Sequence, residues 1–448
     1  MKKRGTSLET EIKLMAEKFL ETLENQKNKD IQIISHFDTD GITSATIMIQ
    51  TLKKIDRKFS VKIIKGIEEQ FIYDLPKNKI TIFLDLASGS LDYIAKSDLE
   101  DVFIIDHHEI VQEIPQKVEI INPELHDSQK ISGSCLTYLF CKQINPKNKE
   151  LAKLAILGMI GDILEKDVDK LNNGILDDGE IKRKRGLLIY PSTRPLNRTL
   201  EFCSRPYIPK VTGDTKGVLE LLREVGLNPT NGKYKSIIEL DQEEMEKLVT
   251  AIMLRNPKAK HKEIIGDIFL LKLFNKLEDA RELSATVNAC SKLGESHIAI
   301  QFCIEISKAK KRAEIIYTKY RQLIISGLKF ASNTEKIEGK GFVIINARDQ
   351  IKDTMIGTIA SIISFSALYE EGTTIVAMAY YDDKIKVSAR NSGSVGRNVR
   401  EFLDNVVRIT KGEVGGHKYA AGCIISRKNE QKFIDLLKKS LEIEIVKI

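Results

Sequence analysis

Short, fully apolar runs alternate with helix-like segments over the first part of the chain. The runs that predict strands are Ile31–Ser35, Val61–Lys65, Ile80–Leu84, Val102–Ile105 and Val118–Ile121. The segments that predict helices between them lie near Ile42–Lys54, Ser88–Lys96 and Ser132–Lys142. Strands that are apolar on both faces and separated by helices are typical of a parallel sheet covered on both sides. The pattern therefore predicts an α/β fold with a parallel sheet in the N-terminal domain.

Acidic and imidazole side chains directly follow several of these apolar segments. They are His36, Asp38 and Asp40 after the first strand, Asp85 after the third, Asp106, His107 and His108 after the fourth, and Asp162 in an apolar helix over 151–163. Alternate positions on an extended segment point to one side, and the carboxyl ends of parallel strands meet at one edge, where α/β sheets bind ligands. Taken alone, the first stretch also fits a solvated loop in which Asp40 caps a helix. Four such sites, two of them with histidines, are hard to explain as caps alone.

The size of this set favours two metal ions over one. Eight ligands exceed what one ion holds, and like charges do not crowd together uncompensated. Two divalent ions about 3.5–4 Å apart, sharing a bridging carboxylate, would resolve this. Mixed imidazole and carboxylate ligands favour Mn²⁺ or a similar ion over Ca²⁺. The predicted chemistry is hydrolysis of a phosphoester or phosphoanhydride.

Composition sets broad limits on partners and location. The chain has 448 residues and a formal net charge of +7, which fits two to three domains and permits a polyanionic partner. Six cysteines without a CxxC pair predict free thiols in a reducing cytosol. We find no signal peptide and no apolar run of transmembrane length. We therefore expect a cytoplasmic protein without a membrane partner.

The order of elements predicts four segments. Residues 1–165 form the α/β catalytic core, 166–305 the rest of that domain with a loop-rich and helical insertion, 306–335 a linker helix, and 336–448 a smaller α/β domain. Within the insertion, the region from about Lys166 to Asp214, which contains the polar stretch Asn172–Arg185, predicts an ordered but loop-rich surface, and Gly217–Arg255 predicts helix. The basic start of the linker helix, Lys308–Arg312, fits a solvated face better than a binding site.

Two glycine-containing segments could bind phosphate. The pair Gly415-Gly416 lets backbone amides approach a phosphate closely, and Arg390 and His417 could add charge-assisted hydrogen bonds. A tight turn is the alternative. Ser132-Gly133-Ser134 could likewise offer helix N-terminal amides to a phosphate, or form a plain N-cap.

The motifs resemble those of the DHH phosphoesterase superfamily. Its four motifs are similar, in order, to His36-Phe37-Asp38-Thr39-Asp40-Gly41, Asp85, Asp106-His107-His108 and Gly161-Asp162. Its DHH-associated substrate-binding domain is similar to Ser388-Ala389-Arg390 and Gly415-Gly416-His417-Lys418-Tyr419-Ala420-Ala421-Gly422. The archaeal RecJ-like branch is similar in the middle section, with Ser192-Thr193-Arg194-Pro195-Leu196 and Pro206-Tyr207-Ile208-Pro209.

The resemblance implies a role for each site residue. Those implied to hold two Mn²⁺ or Mg²⁺ ions are His36 and Asp38 for the first, Asp40, His107 and Asp162 for the second, and Asp85 as the bridge. His108 would face the scissile phosphate, and Asp106 would orient the histidines. Those implied to bind substrate are Ser388, Arg390, Gly415, Gly416 and His417. Bacterial RecJ has an aspartate in place of His36, and Glu413-Val414 stands where the family often has a third glycine.

The resemblance further implies a single-strand-specific exonuclease that releases 5′-mononucleotides from DNA or RNA, in replication, repair or RNA processing. One alternative is a phosphodiesterase of short oligonucleotides or cyclic dinucleotides. Another is a replication-fork scaffold that binds the GINS complex. A pyrophosphatase is disfavoured because those enzymes resemble the C-terminal half of the chain less. The residues leave polarity and the choice between DNA and RNA open.

Overall fold

The chain folds into two compact units. The structure, a computed structural model, describes residues 5–126, 129–166, 168–203, 206–256, 264–366, 368–393 and 395–443. The first unit consists of Met1–Arg185 and Asp267–Tyr317, and the second of Gly186–Gly266 and Thr318–Ile448. The segment 186–266 is therefore inserted into the first unit and belongs with the C-terminal part of the chain. The domain boundaries given above stay a prediction.

The strands and helices alternate through most of the chain. The strands are β1 (Ile31–His36), β2 (Phe59–Ile64), β3 (Ile80–Leu84), β4 (Val102–Ile105), β5 (Val118–Ile121), β6 (Lys182–Leu187), β7 (Ile265–Leu273), β8 (Lys276–Asp279), β9 (Ile337–Gly339), β10 (Phe342–Asn346), β11 (Thr374–Tyr381), β12 (Lys384–Asn391), β13 (Gly412–His417) and β14 (Ala420–Ser426). The helices are α1 (Leu8–Asn25), α2 (Thr39–Lys54), α3 (Glu69–Tyr73), α4 (Leu91–Lys96), α5 (Gly133–Ile144), α6 (Ala152–Gly161), α7 (Lys170–Asp178), α8 (Leu196–Glu201), α9 (Thr215–Glu224), α10 (Gln242–Arg255), α11 (Ala280–Lys292), α12 (Ser296–Cys303), α13 (Ser307–Asn333), α14 (Asp353–Phe365), α15 (Val399–Thr410) and α16 (Glu430–Ile443). Short 3-10 helices span Pro123–Leu125, Pro146–Leu151, Leu164–Lys166, Ile237–Glu239 and Arg427–Asn429.

The first unit is built on a parallel sheet with the order β2-β1-β3-β4-β5. All four strand pairs are parallel. After β1 the chain moves outward to β2, and it then returns to the other side of β1 to form β3. The strand order therefore reverses between β1 and β3, and ligands of open α/β sheets bind at such a switch point, beyond the carboxyl ends of the strands.

Both faces of this sheet are covered, as the apolar runs predicted. On β1, Ile31 and Ile33 pack into the core on one face, which also contains α1, α2, α5 and α6. Ile34 points to the opposite face and packs with residues of α3 and α4, among them Ile72 and Leu91. The alternation of side chains along each strand divides them between the two cores. The predicted α/β class with an N-terminal parallel sheet is confirmed.

The second unit contains a mixed sheet with the order β13-β14-β12-β11-β10-β9. Its one parallel pair among the described strands is β10 with β11, and the others are antiparallel. Phe402 and Phe433, from α15 and α16, pack with Val387 of β12 in its core. The predicted separate C-terminal sheet domain is confirmed. A third, three-stranded sheet has the order β6-β7-β8.

Two predictions about the middle of the chain are wrong in part. Within the region predicted as loop-rich, the polar stretch Asn172–Arg185 forms most of α7 and the start of β6. The side chain of Asp169 caps α7 by accepting a hydrogen bond from the Asn172 amide at 2.8 Å. The helix buries only Ile175, Leu176 and Asn172, which is too few apolar positions to give a clear period in the sequence.

The segment Gly217–Arg255, predicted as helix, is interrupted between α9 and α10. Gly226, with φ +76°, follows the end of α9, and a left-handed glycine at this place is a common helix stop. Asp241 and Glu244 then form a capping box that starts α10. Within the described residues, no helix is long and apolar enough to cross a membrane.

Candidate metal centre

The first motif lies on the turn from β1 to α2. His36 ends β1, and Asp38 is the N-cap of α2, accepting a hydrogen bond from the Gly41 amide at 3.0 Å. Asp40 lies in the first turn of the helix. A strand-to-helix turn therefore brings the three side chains together, and the predicted alternation along one extended segment is wrong. A Cβ at Gly41 would lie 2.2 Å from the His36 carbonyl oxygen, so the turn needs glycine.

Asp40 is fully buried, and the N-terminus of α5 holds its carboxylate. Its Oδ2 accepts a hydrogen bond from the Gly133 amide at 2.6 Å, and its Oδ1 accepts one from the Ser134 amide at 3.0 Å. The positive end of the helix dipole favours a negative charge there. Ser132 caps α5 by accepting from the Cys135 amide. The sequence left open whether Ser132-Gly133-Ser134 binds a phosphate or caps the helix. In the structure Ser132 caps α5, and the Gly133 and Ser134 amides bind the Asp40 carboxylate.

The C-terminal end of α6 places Asp162 close to His107 and Asp40. Asp162 is the C-cap of α6, and its Oδ2 lies 3.2 Å from Nε2 of His107. The same Nε2 lies 3.8 Å from Oδ2 of Asp40. Earlier in α6, a Cβ at Gly158 would lie 2.3 Å from Oδ1 of Asp40. The helix can pass this close to the carboxylate only because position 158 has no side chain.

Asp85 lies between two groups of ligands. It follows β3 with φ +58°, a left-handed conformation of the kind that clusters at functional sites. Its Oδ2 lies 3.4 Å from Nδ1 of His36, and its Oδ1 lies 3.3 Å from Nε2 of His107. The two oxygens of one carboxylate therefore face two different imidazoles, which is the arrangement expected of a bridging ligand.

Three overlapping groups of side chains have ligand atoms that lie within 4.8 Å of one another. The groups are His36 with Asp38 and Asp85, Asp40 with His107 and Asp162, and Asp85 with His107 and His108. The first two reproduce the two ligand sets that the family resemblance implied. The third places His108 within reach of the same space as His107, so His108 is a further potential ligand.

The hydrogen-bonding state of these atoms fits a cation. Both carboxylate oxygens of Asp85 and Nδ1 of His36 are buried and form no hydrogen bond among the described residues. Nδ1 of His36 lies 2.9 Å from Oδ2 of Asp38, but the pair lacks hydrogen-bond geometry. Buried polar atoms normally have partners, and two oxygens and an imidazole nitrogen are the donor types that Mn²⁺ accepts. The residues present therefore fit divalent metal ions.

The electrostatics of the cluster point the same way. Burial opposes charge on His36, but the Asp38 and Asp85 carboxylates outweigh it and raise its pKa to about 11. Burial, with the charges of Asp40 and Asp38, raises the pKa of Asp85 well above its ordinary value. Burial and the charges of Asp40 and Asp85 do the same to the pKa of Asp162. The carboxylates raise one another's pKa and also raise the pKa of the imidazole. Both effects are expected where negative charge is concentrated and a balancing positive charge is lacking.

Asp106 holds the two histidines that follow it. Its Oδ1 accepts hydrogen bonds from the His107 amide at 2.8 Å, the His108 amide at 3.2 Å and His108 Nδ1 at 2.7 Å. Its Oδ2 accepts one from the Ser88 amide at 2.9 Å. Burial would raise the pKa of Asp106, but these bonds and the neighbouring imidazoles hold it below its usual range. Asp106 therefore fixes the orientation of His108 and does not face the ligand clusters.

Asn122 is a buried residue of this region that the sequence analysis missed. Its Nδ2 donates to the His108 carbonyl oxygen at 2.8 Å and to Ser88 Oγ at 2.9 Å, while its Oδ1 accepts from the Glu124 amide at 2.9 Å. It follows β5 and precedes a proline. A polar residue directly after a buried strand was the signal that identified Asp85, and the same signal was present here.

Helix α11 lies far along the chain and forms hydrogen bonds with the turn between β1 and α2. The Ser291 hydroxyl donates to the Phe37 carbonyl oxygen, and the Thr39 hydroxyl donates to the Ser284 carbonyl oxygen at 3.2 Å. The Lys292 ammonium lies 4.5 Å from the centroid of the Phe37 ring. The sequence analysis missed this contact because it is set by tertiary packing and no local motif marks α11.

The residues implied to bind substrate lie together on the sheet of the second unit. Ser388 and Arg390 lie on β12, and Gly415 and Gly416 lie on β13. Strand β14 separates the two, and its Gly422 is opposite Ser388 on one side and opposite Gly415 on the other. The sheet therefore aligns the two motifs although they are distant in sequence.

The glycine pair lies in a strand, so the tight turn that the sequence offered as an alternative is wrong. Gly416 has φ +117°, and a Cβ there would lie 2.5 Å from the Ala420 carbonyl oxygen. Gly415 has nothing within 4 Å of its Cβ position. The backbone conformation at position 416 thus requires glycine, whereas a side chain at position 415 would extend into open space. The side chain of His417 lies outside the described part of the chain.

Arg390 is fixed by its neighbours in the sheet and in α14. Its Nη1 donates to the Ala421 carbonyl oxygen at 3.0 Å, and its Nε donates to Ser361 Oγ at 3.2 Å. A Cβ at Gly357 would lie 3.5 Å from Ser388 Oγ and 4.0 Å from Arg390 Nη2. The guanidinium and the Ser388 hydroxyl therefore border the same place on α14.

Three family models match the chain in succession. They are the DHH family N-terminal domain at residues 30–159, the DHH-CID domain at 189–263 and the DHHA1 domain at 339–442. The chain therefore contains DHH, DHH-CID and DHHA1 family domains in this order. The first match covers every predicted metal ligand except Asp162, and the third covers the predicted substrate-binding residues.

Two curated relatives differ in how much of the chain they match. An uncharacterized protein of Methanocaldococcus jannaschii is 27% identical over 428 residues, which are 90% of this chain and 91% of the relative. The single-stranded-DNA-specific exonuclease RecJ of Bacillus subtilis is 24% identical over 168 residues, which are 34% of this chain and only 21% of the relative.

Two solved structures share the fold over nearly the whole chain. CDC45 from Entamoeba histolytica has a TM-score of 0.68 at 11% identity and covers 96% of this chain and 99% of its own. The exonuclease RecJ bound to manganese has a TM-score of 0.60 at 15% identity and covers 95% of this chain and 93% of its own. At these identities the likeness establishes the fold alone.

Proposed function

We propose that this protein is a metal-dependent exonuclease that hydrolyses phosphodiester bonds in single-stranded DNA or RNA and releases 5′-mononucleotides. The observation that carries the proposal is the position of Asp85. Its two buried oxygens have no hydrogen-bond partner in the part of the chain that the structure describes, and they face His36 and His107 separately. A carboxylate placed in this way suits a pair of metal ions and has no comparable use in a site that holds none.

The described residues divide into two ligand sets. His36 and Asp38 would hold one Mn²⁺ or Mg²⁺ ion, Asp40, His107 and Asp162 the other, and Asp85 both. Two bound divalent ions would activate a water molecule and neutralise charge on the phosphoryl oxygens in the transition state. The likeness to RecJ bound to manganese supports the choice of metal.

His108 would contact the scissile phosphate, and Asp106 would act through His108. His108 is 42% exposed and is the most accessible of the three site histidines. Its Nδ1 is bound to Oδ1 of Asp106, which leaves Nε2 as the nitrogen free to donate to a phosphate oxygen. The Asp106 carboxylate favours the charged imidazolium and so strengthens that hydrogen bond.

The second unit would hold another part of the substrate. Arg390 and Ser388 present a guanidinium and a hydroxyl, and Gly415 presents backbone without a side chain. We propose that these residues, with Gly416 and His417, bind a phosphate of the nucleic acid. The similarity to a single-stranded-DNA-specific exonuclease supports a single-stranded substrate.

The test is digestion of single-stranded DNA and RNA, labelled at either end, with Mn²⁺ and with EDTA. Wild-type protein should give mononucleotides only with metal, and Asp85→Asn should give none. Asp178→Asn is the matched control, because it makes the same chemical change at a carboxylate that contacts Tyr138 and Lys142 outside the ligand clusters. Full activity of Asp85→Asn would refute the two-metal site.

The same substitution has a second readout. Because burial and the charges of Asp40 and Asp38 raise the pKa of Asp85, its ionised form destabilises the metal-free fold at neutral pH. Asp85→Asn should therefore melt at no lower temperature than wild type without metal, and it should lose the stabilisation that Mn²⁺ gives to wild type. A large drop in metal-free melting temperature would contradict this account.

A second candidate is a replication-fork scaffold that binds the GINS complex. The fold likeness to CDC45, with a TM-score of 0.68, favours it, whereas the complete set of ligand side chains favours an enzyme. Co-purification with GINS tests the scaffold role, and one chain could do both. A product ladder from a long labelled strand separates the exonuclease from a phosphodiesterase of short oligonucleotides or cyclic dinucleotides.

A further inference from the structure

Strand β6 exposes an unusual concentration of positive charge. Lys182, Arg183, Lys184 and Arg185 follow one another in sequence, and all four are exposed. β6 is an end strand in the order β6-β7-β8, so among the described strands one of its edges has no neighbour. These four residues and all the predicted metal ligands belong to the first unit.

Two of these cations share one carboxylate. Asp267 of β7 lies 3.6 Å from Nε of Arg183 and 4.0 Å from Nη1 of Arg185. One carboxylate thus faces two guanidinium groups at the long end of the ion-pair range. Arg185 is 71% exposed, and Lys182 is also exposed. An anion can therefore reach the Lys182 ammonium and the Arg185 guanidinium.

Part of this surface is ordered. The Arg183 guanidinium lies 5.3 Å from the centroid of the Phe269 ring, and its Nη2 donates to Asn173 Oδ1 at 3.1 Å. Charged residues on an edge strand often serve only to prevent pairing with other strands. A guanidinium that stacks on an aromatic ring and is held by a hydrogen bond has in addition the preorganisation that suits phosphate recognition.

We propose that this surface, Lys182–Arg185 of β6, binds the phosphodiester backbone of a single-stranded nucleic acid outside the metal centre. The inference rests on the proposed function, since it names a second contact for the same polymer. Successive side chains of a strand point to opposite faces, so the cations flank both sides of an extended anion that runs along the open edge.

An acidic peptide fits this surface less well. Peptides that add a strand to a sheet edge gain specificity from pockets that receive alternate side chains. The outward positions of β6 offer exposed cations on both faces and no buried apolar position before Gly186. A sugar-phosphate backbone can bind wherever cations lie at intervals along its path. The affinity of such binding depends on the salt concentration because counterions are released.

The test measures binding of a fluorescein-labelled oligothymidylate by anisotropy, in EDTA, over a series of salt concentrations. The double variant Lys182→Ala/Arg185→Ala should bind more weakly, and the slope of log K against log salt should fall in magnitude by about 1.4, since each phosphate contact on a single strand contributes about 0.7. Lys13→Ala/Lys53→Ala is the matched control, because it removes two exposed lysines on α1 and α2. Its slope should equal that of wild type.

Each outcome decides the proposal. A wild-type slope in Lys182→Ala/Arg185→Ala would overturn it, and so would equal competition by polyglutamate of the same length, which would favour a peptide ligand. Hydrolysis by wild type together with an unchanged slope leaves the exonuclease standing and removes this surface. A reduced slope in a protein that hydrolyses nothing leaves the surface standing and removes the exonuclease.

Discussion

Gly158→Ala adds one methyl group where α6 passes Asp40. The new Cβ would lie 2.1 Å from Ser134 Oγ, 2.3 Å from Asp40 Oδ1 and 2.6 Å from Thr43 Oγ1. To reach an ordinary contact of about 3.5 Å, these atoms must move by roughly 1 Å. None moves easily, because Ser134 donates to the Ala155 carbonyl oxygen at 3.0 Å and Asp40 is held by the amides of α5.

The substitution combines opposing contributions to the free energy of unfolding. Replacing a helical glycine by alanine stabilises by about 0.5–1 kcal/mol, whereas overpacking a rigid site costs about 1–3 kcal/mol. Weakening a hydrogen bond to the Asp40 carboxylate costs about 1.5–3 kcal/mol more. The metal-free protein should therefore be destabilised by about 2–5 kcal/mol, and the displaced carboxylate should bind metal poorly.

Thermal unfolding with and without Mn²⁺ measures both effects. An ion at a hundred times its Kd stabilises the folded state by about 2.7 kcal/mol, a rise in Tm of roughly 5–11 °C for a unit of this size. Wild type should show this rise and Gly158→Ala should not. Gly174→Ala is the matched control, since it makes the same change in α7 with nothing within 4 Å of the new atom. It should melt slightly above wild type and respond fully to Mn²⁺.

The result that would refute the reasoning is a Gly158→Ala protein whose Tm and Mn²⁺ response match those of Gly174→Ala. Such a result would mean that α6 shifts without displacing Asp40, and hence that this helix does not constrain the ligand set. A lower Tm with an intact Mn²⁺ response would separate the packing effect from metal binding and contradict the role given to Asp40.

Two further predictions concern residues that position others. Asp106→Asn replaces by an amide donor either the oxygen that accepts from the Ser88 amide or the oxygen that accepts from His108. It should lower the free energy of unfolding by about 3 kcal/mol and lower kcat far more than KM. An unchanged kcat would exclude a role in orienting His108. Gly416→Ala should destabilise the second unit by about 1–3 kcal/mol because position 416 has a φ of +117°. Gly415→Ala should change the Tm little. Equal melting curves for the two variants would contradict the observed strand geometry.

Most of the candidate site could be predicted from the sequence because its signals were local. Asp85 directly follows β3, and Asp106-His107 directly follows β4. A parallel sheet brings the ends of its strands to one edge whatever the details of packing. Asp162 was predicted for a similar reason, at the end of an apolar helix. In each case the ligand type and its distance in sequence from a buried segment were sufficient.

The rest depended on contacts between distant segments. The role of Gly133 as a donor to Asp40 could not be read from either motif, because it requires the N-terminus of α5 to approach the start of α2. Ser291 and Ser284 reach the metal-ligand turn from a helix that no motif marks. Strand β13 was missed because its glycines conceal the alternation that normally identifies a strand.

The contact between α11 and the β1–α2 turn has a consequence for biosynthesis. All the predicted metal ligands have been synthesised once Asp162 has been added to the chain, but Ser284 and Ser291, which hold the turn, follow more than a hundred residues later. The inserted segment 186–266 belongs to the other unit. Domains generally fold as the chain emerges, N-terminal part first, yet this order cannot complete the first unit. The first unit therefore cannot be completed until translation passes Lys292, and a chain truncated before that point would contain every predicted metal ligand without the contacts from α11 that hold the β1–α2 turn.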